Sequence, residues 1–140
     1  MAETERPTFE EVKAMEGKKK DEVLEVDNTM IKRLCDVLDD SNPKWKDQAP
    51  PCALTAAMFS GGLLILNIPV PYKRTVAAGA DWEFLKPIKP GDTITTVHEF
   101  AELKDKSSEK GPRALLIFTS KHTNQKGELV GISTNTIMSY

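Results

Sequence analysis

Four runs in the second half of the chain, 79–85, 93–103, 113–123 and 128–139, are β-branched or alternate between apolar and polar residues. A two-residue period is the mark of strands with one face buried. Lys89-Pro90-Gly91-Asp92, residues 107–112 and residues 124–127 separate the later runs with turn chemistry. Ile94, Thr96, His98 and Phe100 share one face of their run; Val130, Ile132, Thr134, Thr136 and Met138 share one face of theirs. The pattern predicts an antiparallel meander, which must find something apolar to cover.

The first half supplies it. Thr8 and Glu11 stand at capping-box spacing, so 8–16 reads as a short helix stopped by Gly17. Lys18, Lys19 and Lys20 read as a solvated charge run, and 22–26 as a short strand. Asn28 is the expected N-cap of a helix whose apolar face is Met30, Ile31, Leu34, Cys35, Val37 and Leu38. Asn42-Pro43 ends it near Asp39, and 44–49 is expected to be polar loop. Pro50-Pro51 opens a stretch, 53–66, that is apolar nearly all round, as expected of a helix buried on most sides. Its small residues Ala53, Ala56, Ala57, Ser60 and Gly61 suit close packing on a sheet, and Pro69 and Pro71 end it.

Helices first and strands afterwards describe an α+β domain, with an antiparallel sheet curled around one long central helix. With 140 residues the chain suffices for one core: residues 1–20 are expected to be an N-terminal helical and loop extension, and 21–140 a single domain. Such a sheet leaves edge strands, and pairing with a second copy or a partner satisfies them, so a dimer is expected.

Composition removes several functions. Nineteen Lys and Arg against 21 Asp and Glu give a net charge of -2, without the basic excess expected of nucleic-acid or membrane-surface binding. Cys35 and Cys52 have no C-x-x-C or histidine-rich neighbourhood, so no metal site is signalled. A single disulfide between them is conceivable, but the charged first 20 residues do not read as a signal peptide, and reduced thiols in the cytoplasm are the expectation. The apolar run 53–66 is too short to span a bilayer.

Two stretches carry a resemblance. Asp81-Trp82-Glu83-Phe84-Leu85-Lys86-Pro87-Ile88-Lys89-Pro90-Gly91-Asp92 is similar to the strand-turn segment of the MaoC-like hydratases and dehydratases, in which an aromatic strand runs into a K-P-I/V-x-x-G-D turn. Leu38-Asp39-Asp40-Ser41-Asn42-Pro43-Lys44-Trp45 resembles that family's signature, G-D-x-N-P-x-H. The order of elements agrees from about Glu22 onward. The resemblance implies a hot-dog fold, and reversible addition of water across the double bond of an enoyl thioester, carried on coenzyme A or an acyl-carrier protein, with no further cofactor.

The departures are as informative. The signature's aspartate falls on Asp40, its asparagine on Asn42, its proline on Pro43 and its histidine on Trp45. In the family the aspartate and histidine hold the reacting water. An indole N–H donates a hydrogen bond but is neither acid nor base near neutral pH, which leaves Asp40 as the candidate catalytic residue with half a dyad. The family's central helix opens with A-H-G, whose glycine N–H helps hold the thioester oxygen. Here the stretch is Ala49-Pro50-Pro51-Cys52; Pro51 has no N–H to give, and Cys52 has the nearest. Some family members divide the labour between a hot-dog bearing the dyad and a partner that shapes the acyl tunnel. The chain resembles the dyad-lacking half, similar to the N-terminal halves of two-domain versions. The resemblance therefore implies a partner hot-dog bearing G-D-x-N-P-x-H, or a homodimer, with Asn42, Pro51, Cys52, Met58, Phe59 and Trp82 on the substrate.

Plainer readings stand beside these. D-D-S-N-P is ordinary turn chemistry, and Trp45 fits a loop aromatic pinned on the fold. Cys52 at a helix start suits a lowered thiol pKa or plain packing. His98 and His122 are expected to be half-exposed strand residues without a carboxylate at suggestive spacing. Lys73, Arg74 and Lys86 suit carrier phosphates or plain solvent. A non-enzymatic acyl-thioester-binding or scaffold hot-dog is the alternative function. A hot-dog thioesterase is weaker, because its carboxylate would have to be Asp47 or Asp40.

Overall fold

In the computed structural model, residues 5–57 and 61–140 are described. Five antiparallel strands make one sheet in the order β1-β3-β4-β5-β2: β1 Lys19–Glu25, β2 Thr75–Phe84, β3 Thr93–Asp105, β4 Ala114–Thr123 and β5 Leu129–Ser139. The meander β3-β4-β5 is joined by the tight turns read from the sequence. The two long connections add the outer strands, β1 beside β3 and β2 beside β5. Strand β1 starts three residues earlier than expected and β2 four, because pairing with β3 and β5 extends each beyond its own alternating pattern.

Helix α1, Phe9–Lys13, is held by the expected capping box: Glu11 N–H donates to Thr8 Oγ1 and Thr8 N–H to Glu11. Its Val12 is fully buried with Phe100, Leu103, Leu116 and Phe118. Helix α2, Asn28–Leu38, is capped by Asp27, one residue earlier than the expected Asn28: Met30 N–H donates to Asp27 Oδ1 at 2.7 Å. The carboxylate reaches the third helical N–H, while Asn28 already has a place in the first turn.

The apolar stretch 53–66 is helical at both ends, as α3 Ala53–Ala57 and α4 Gly61–Ile65; Met58, Phe59 and Ser60 lie outside the described residues. Helix α4 packs on β3 and β4, and α3 reaches β1. Two glycines set how near the helices come to the sheet. A Cβ on Gly62 would lie 2.8 Å from the Phe118 ring, and one on Gly131 2.6 Å from Leu54 Cδ1. Around Leu54 gathers a second core of Val26, Ile31, Ala53, Ile88, Ile94 and Val130, onto which Trp45 and Trp82 pack from the side.

The Lys89–Asp92 turn closes on itself and on β1. Gly91, at φ 90, takes the left-handed backbone that the turn requires, and Lys89 N–H donates to Asp92 Oδ2 at 2.8 Å. Gly91 N–H donates to the Val26 carbonyl at 2.7 Å, and Val26 N–H to that of Asp92 at 2.9 Å. The turn thereby ties the start of β3 to the end of β1. Among the described residues, no helix is long and apolar enough to cross a membrane.

Candidate active site

Helix α2 ends in a left-handed turn. Asp39 sits at φ 51, and Asp40 N–H reaches back to the Cys35 carbonyl at 2.9 Å, a reverse-turn closure that favours glycine at the left-handed position. That position is the glycine of G-D-x-N-P-x-H, so the register of the motif agrees with the backbone. From there the chain enters a 3₁₀ turn, Pro43–Lys46, in the segment expected to be plain loop. Asn42 caps it, accepting from Lys44 N–H at 3.0 Å.

Both oxygens of Asp40 are occupied within this loop. Asn42 N–H donates to Oδ1 at 3.0 Å, and the Trp45 indole donates from Nε1 to Oδ2 at 2.8 Å. Trp45 thus stands where the signature has histidine, fastened to the same carboxylate. Close by, burial first, then the Asp40 and Asp36 charges, push the Cys35 thiol above its ordinary pKa; the reactive thiolate is disfavoured there. Cys35 and Cys52 are both free thiols.

Trp45 and Pro51 line one pocket of about 240 Å³, with Leu54, Phe84 and Ile88 as apolar walls and Lys44 and Lys86 at the rim. Trp82 lies elsewhere, in a larger groove of about 570 Å³ between the helices and the inner side of β2 and β5. Cys52, half-buried next to Pro51, lines neither. Met58 and Phe59 are outside the described residues. Lys86 is engaged with Glu128 at 3.1 Å, which holds that carboxyl below its usual pKa. Lys73 and Arg74 are exposed at the opposite end of β2, roughly 30 Å along the strand at about 3.3 Å per residue. The three cations do not form one phosphate site. Asp47 is exposed at the end of the 3₁₀ turn.

The two histidines correct their sequence reading. His98 is 1% exposed and His122 fully buried, because the alternation that puts Ile94 and Phe100 inside carries Thr96 and His98 with them, and β4 delivers His122 opposite Thr96. His98 does have a carboxylate: its Nε2 lies 3.0 Å from Glu22, brought from 76 residues away by β1, and its Nδ1 lies 2.8 Å from Ser120 Oγ. His122 pairs through Nδ1 with Thr96 Oγ1 at 2.7 Å and through Nε2 with Ser133 Oγ at 3.4 Å. Burial, and to a smaller extent His98, lower its pKa to about 4, so it is neutral at physiological pH. The Trp82 ring stacks on it at 5.8 Å. The alternation through Ile94 and Phe100 signalled His98 in the sequence; Glu22, Ser120 and Ser133 carried no signal.

Comparison with known proteins places this architecture. Residues 38–132 match the family described as FAS1-like, dehydratase domain region, and the chain belongs to that family. No curated protein sequence matches it. Solved structures share the fold at low identity. One is the ChsH1–ChsH2 complex from Mycobacterium tuberculosis, with TM-score 0.74, 18% identity, and 94% of this chain and 93% of that one covered. The R-hydratase PhaJ1 from Pseudomonas aeruginosa matches with TM-score 0.69 at 19% identity over 94% and 84% of the two chains. The 3R-hydroxyacyl-ACP dehydratase complex HadBC from M. tuberculosis matches with TM-score 0.69 at 14% identity over 89% and 97%. The fold is therefore the hot-dog of MaoC-like hydratases and dehydratases.

Proposed function

We propose that this chain is the half of a MaoC-like hydratase/dehydratase that lacks the dyad, acting on enoyl or 3-hydroxyacyl thioesters of coenzyme A or a carrier protein as part of a pair. The observation that carries the reading is the Asp40 carboxylate, with one oxygen on the Asn42 N–H and the other on the Trp45 indole. A general base must reach its water and pass the proton on; here the second member of the dyad is replaced by a group that cannot titrate, and Asp40 braces a loop. Pro51, which has no N–H to offer a thioester oxygen, supports the same reading. The acid/base pair then comes from a second hot-dog subunit bearing G-D-x-N-P-x-H. The names of the HadBC and ChsH1–ChsH2 complexes support a paired arrangement, and β2, with one side unpaired in this chain, is the strand we assign to it.

In that pair this chain supplies the acyl-binding wall. The reaction adds water to the β-carbon of the enoyl thioester, or removes it, at the partner's dyad. The test is hydration of crotonyl-CoA by this chain alone and with a partner bearing the intact signature. Activity is expected only from the pair, and Asp40→Asn in this chain is expected to leave the pair within about threefold of its parent. Robust activity from the chain alone, lost in Asp40→Asn, would overturn the reading. Silence from both, with acyl-CoA still bound, would favour the non-enzymatic acyl-thioester-binding alternative.

A further inference from the structure

Two cavities adjoin β2 and share no lining residue. The pocket beside Trp45 is bounded by Leu54 and Phe84; the larger groove is bounded by their neighbours Thr55 and Trp82. Trp82 and Phe84 are two residues apart on one strand, so both project to the same side. Their rings stack with centroids 5.9 Å apart and planes 13° from parallel. Trp82 stacks in turn on His122, with planes at 14°. The three rings stack in a row between residues of the two linings, and Leu54 packs at Gly131, where a side chain would collide with it.

The base of the row is rigid. His122 is fully buried and held through both ring nitrogens, by Thr96 and Ser133. Because burial keeps it uncharged, it presents a neutral face to the indole, and no counter-ion is needed. The groove on the Trp82 side is lined by small residues of β2, Ala77, Ala78, Gly79 and Ala80, with Ile137 and Phe118 beside them in the same sheet and Thr55 and Gly62 from the helices. An unbranched hydrocarbon fits that lining, which among the described residues is mainly apolar and carries no charge, with Thr55, Asn135 and Thr136 as its polar members.

We infer that Trp82 is the specificity-determining wall of this subunit: it ends the groove that receives the acyl chain, and so sets the longest chain that binds without entering the pocket beside Trp45. Phe84 and His122 are positioning residues that hold the indole across the passage. The inference rests on the acyl-thioester reading above and adds which residue limits the acyl tail.

The test uses the full chain carrying Trp45→Phe, so that Trp82 is its single tryptophan. The probes are coenzyme A thioesters of straight-chain acids from four to twelve carbons, each with and without a terminal bromine. As the chain lengthens, bromine should reach the indole, and quenching of Trp82 emission should be greatest at one length and fall beyond it. Trp82→Ala should merge the two cavities and move the tightest-binding acid to a longer one. Two further buried methylenes suffice for about a tenfold gain, while Trp82→Phe should hold the parent's preference. If thioesters of every length bind without quenching Trp82, and Trp82→Ala leaves the length preference unchanged, the wall is wrong although acyl binding stands. If no thioester binds the folded parent, the acyl-thioester reading itself fails and takes the wall with it. The quenching measurement needs no cavity variant, so it decides the matter even if Trp82→Ala does not fold.

Discussion

The two edges of the sheet are built to opposite rules. Strand β1 reads Lys-Lys-Asp-Glu-Val-Leu-Glu, five charged residues of seven, and its end is clamped by the Val26 hydrogen bonds to the Gly91-Asp92 turn. Strand β2 reads Thr-Val-Ala-Ala-Gly-Ala-Asp-Trp-Glu-Phe, with two charges in ten and exposed almost throughout. Charged side chains keep an edge from pairing with strangers, and a long uncharged edge invites it. Val76 at 44% and Phe84 at 48% exposure leave apolar surface on the β2 side, where both cavities also lie. One edge is charged and clamped by its own chain; the other is left open.

The sharpest way to break this contrast is to charge the open edge. Val76→Lys with Gly79→Lys puts two cations on β2 at sites with room for them, since a Cβ on Gly79 meets nothing within 4 Å. Burying unpaired cations in an interface costs several kcal/mol, so sedimentation should show association weakened by about a hundredfold or more. Val23→Lys on β1, already 62% exposed among charges, should change it by less than about twofold. Equal effects at the two edges would dissolve the comparison.

Next in size is the strand behind β2. Gly131→Ala drives a methyl group into Leu54 and should cost about 2 kcal/mol in urea unfolding, as overpacking does. Gly79→Ala, on the open edge, should stay within about 0.5 kcal/mol of the parent.

Acidification probes the same side. His122 has a folded pKa of about 4 against an ordinary 6.5, so between those values the unfolded chain binds the extra proton. Stability is therefore constant above pH 6.5 and falls as the pH drops towards 4. From pH 6.5 to 5, ahead of most carboxylate titration, the loss should be about 1 to 2 kcal/mol. His122→Gln should flatten that slope; an unchanged slope would mean the imidazole is already charged in the folded protein.

The smallest effect belongs to the closed side, where Asp27→Ala removes the cap of α2 and should cost about 1 kcal/mol without altering association. A change in association there would tie the two edges together after all.

What the sequence revealed divides along physical lines. The period-two runs and the turn Lys89-Pro90-Gly91-Asp92 are local signals, and β3, β4 and β5 fell within a few residues of their expected ends. The end of α2 near Asp39 and the turn at Asn42-Pro43 were legible for the same reason, whereas the 3₁₀ turn Pro43–Lys46 and the indole bond from Trp45 to Asp40 were not, the segment from 44 reading only as polar loop. Glu22 beside His98, Leu54 on Gly131 and the Trp82–His122 stack span 76, 77 and 40 residues. They exist only because the strands pair as they do, and no spacing along the chain announces them. His98 and His122 misled because histidine is equally ordinary on a wet strand face; Ile94 and Phe100 on either side of His98 were the better guide.

The strand order β1-β3-β4-β5-β2 also dictates a timetable. The central meander closes through short connections, whereas β1 has no neighbour until residues 93–105 exist and β2 none until 129–139. Pairings between distant segments are slow because a long loop must close before any bond rewards it. Both borders of the sheet are therefore late arrivals, and the open edge β2 is completed only after its neighbour β5 is in place. Until then β2, with only two charges in its ten residues, is an unpaired segment open to aggregation.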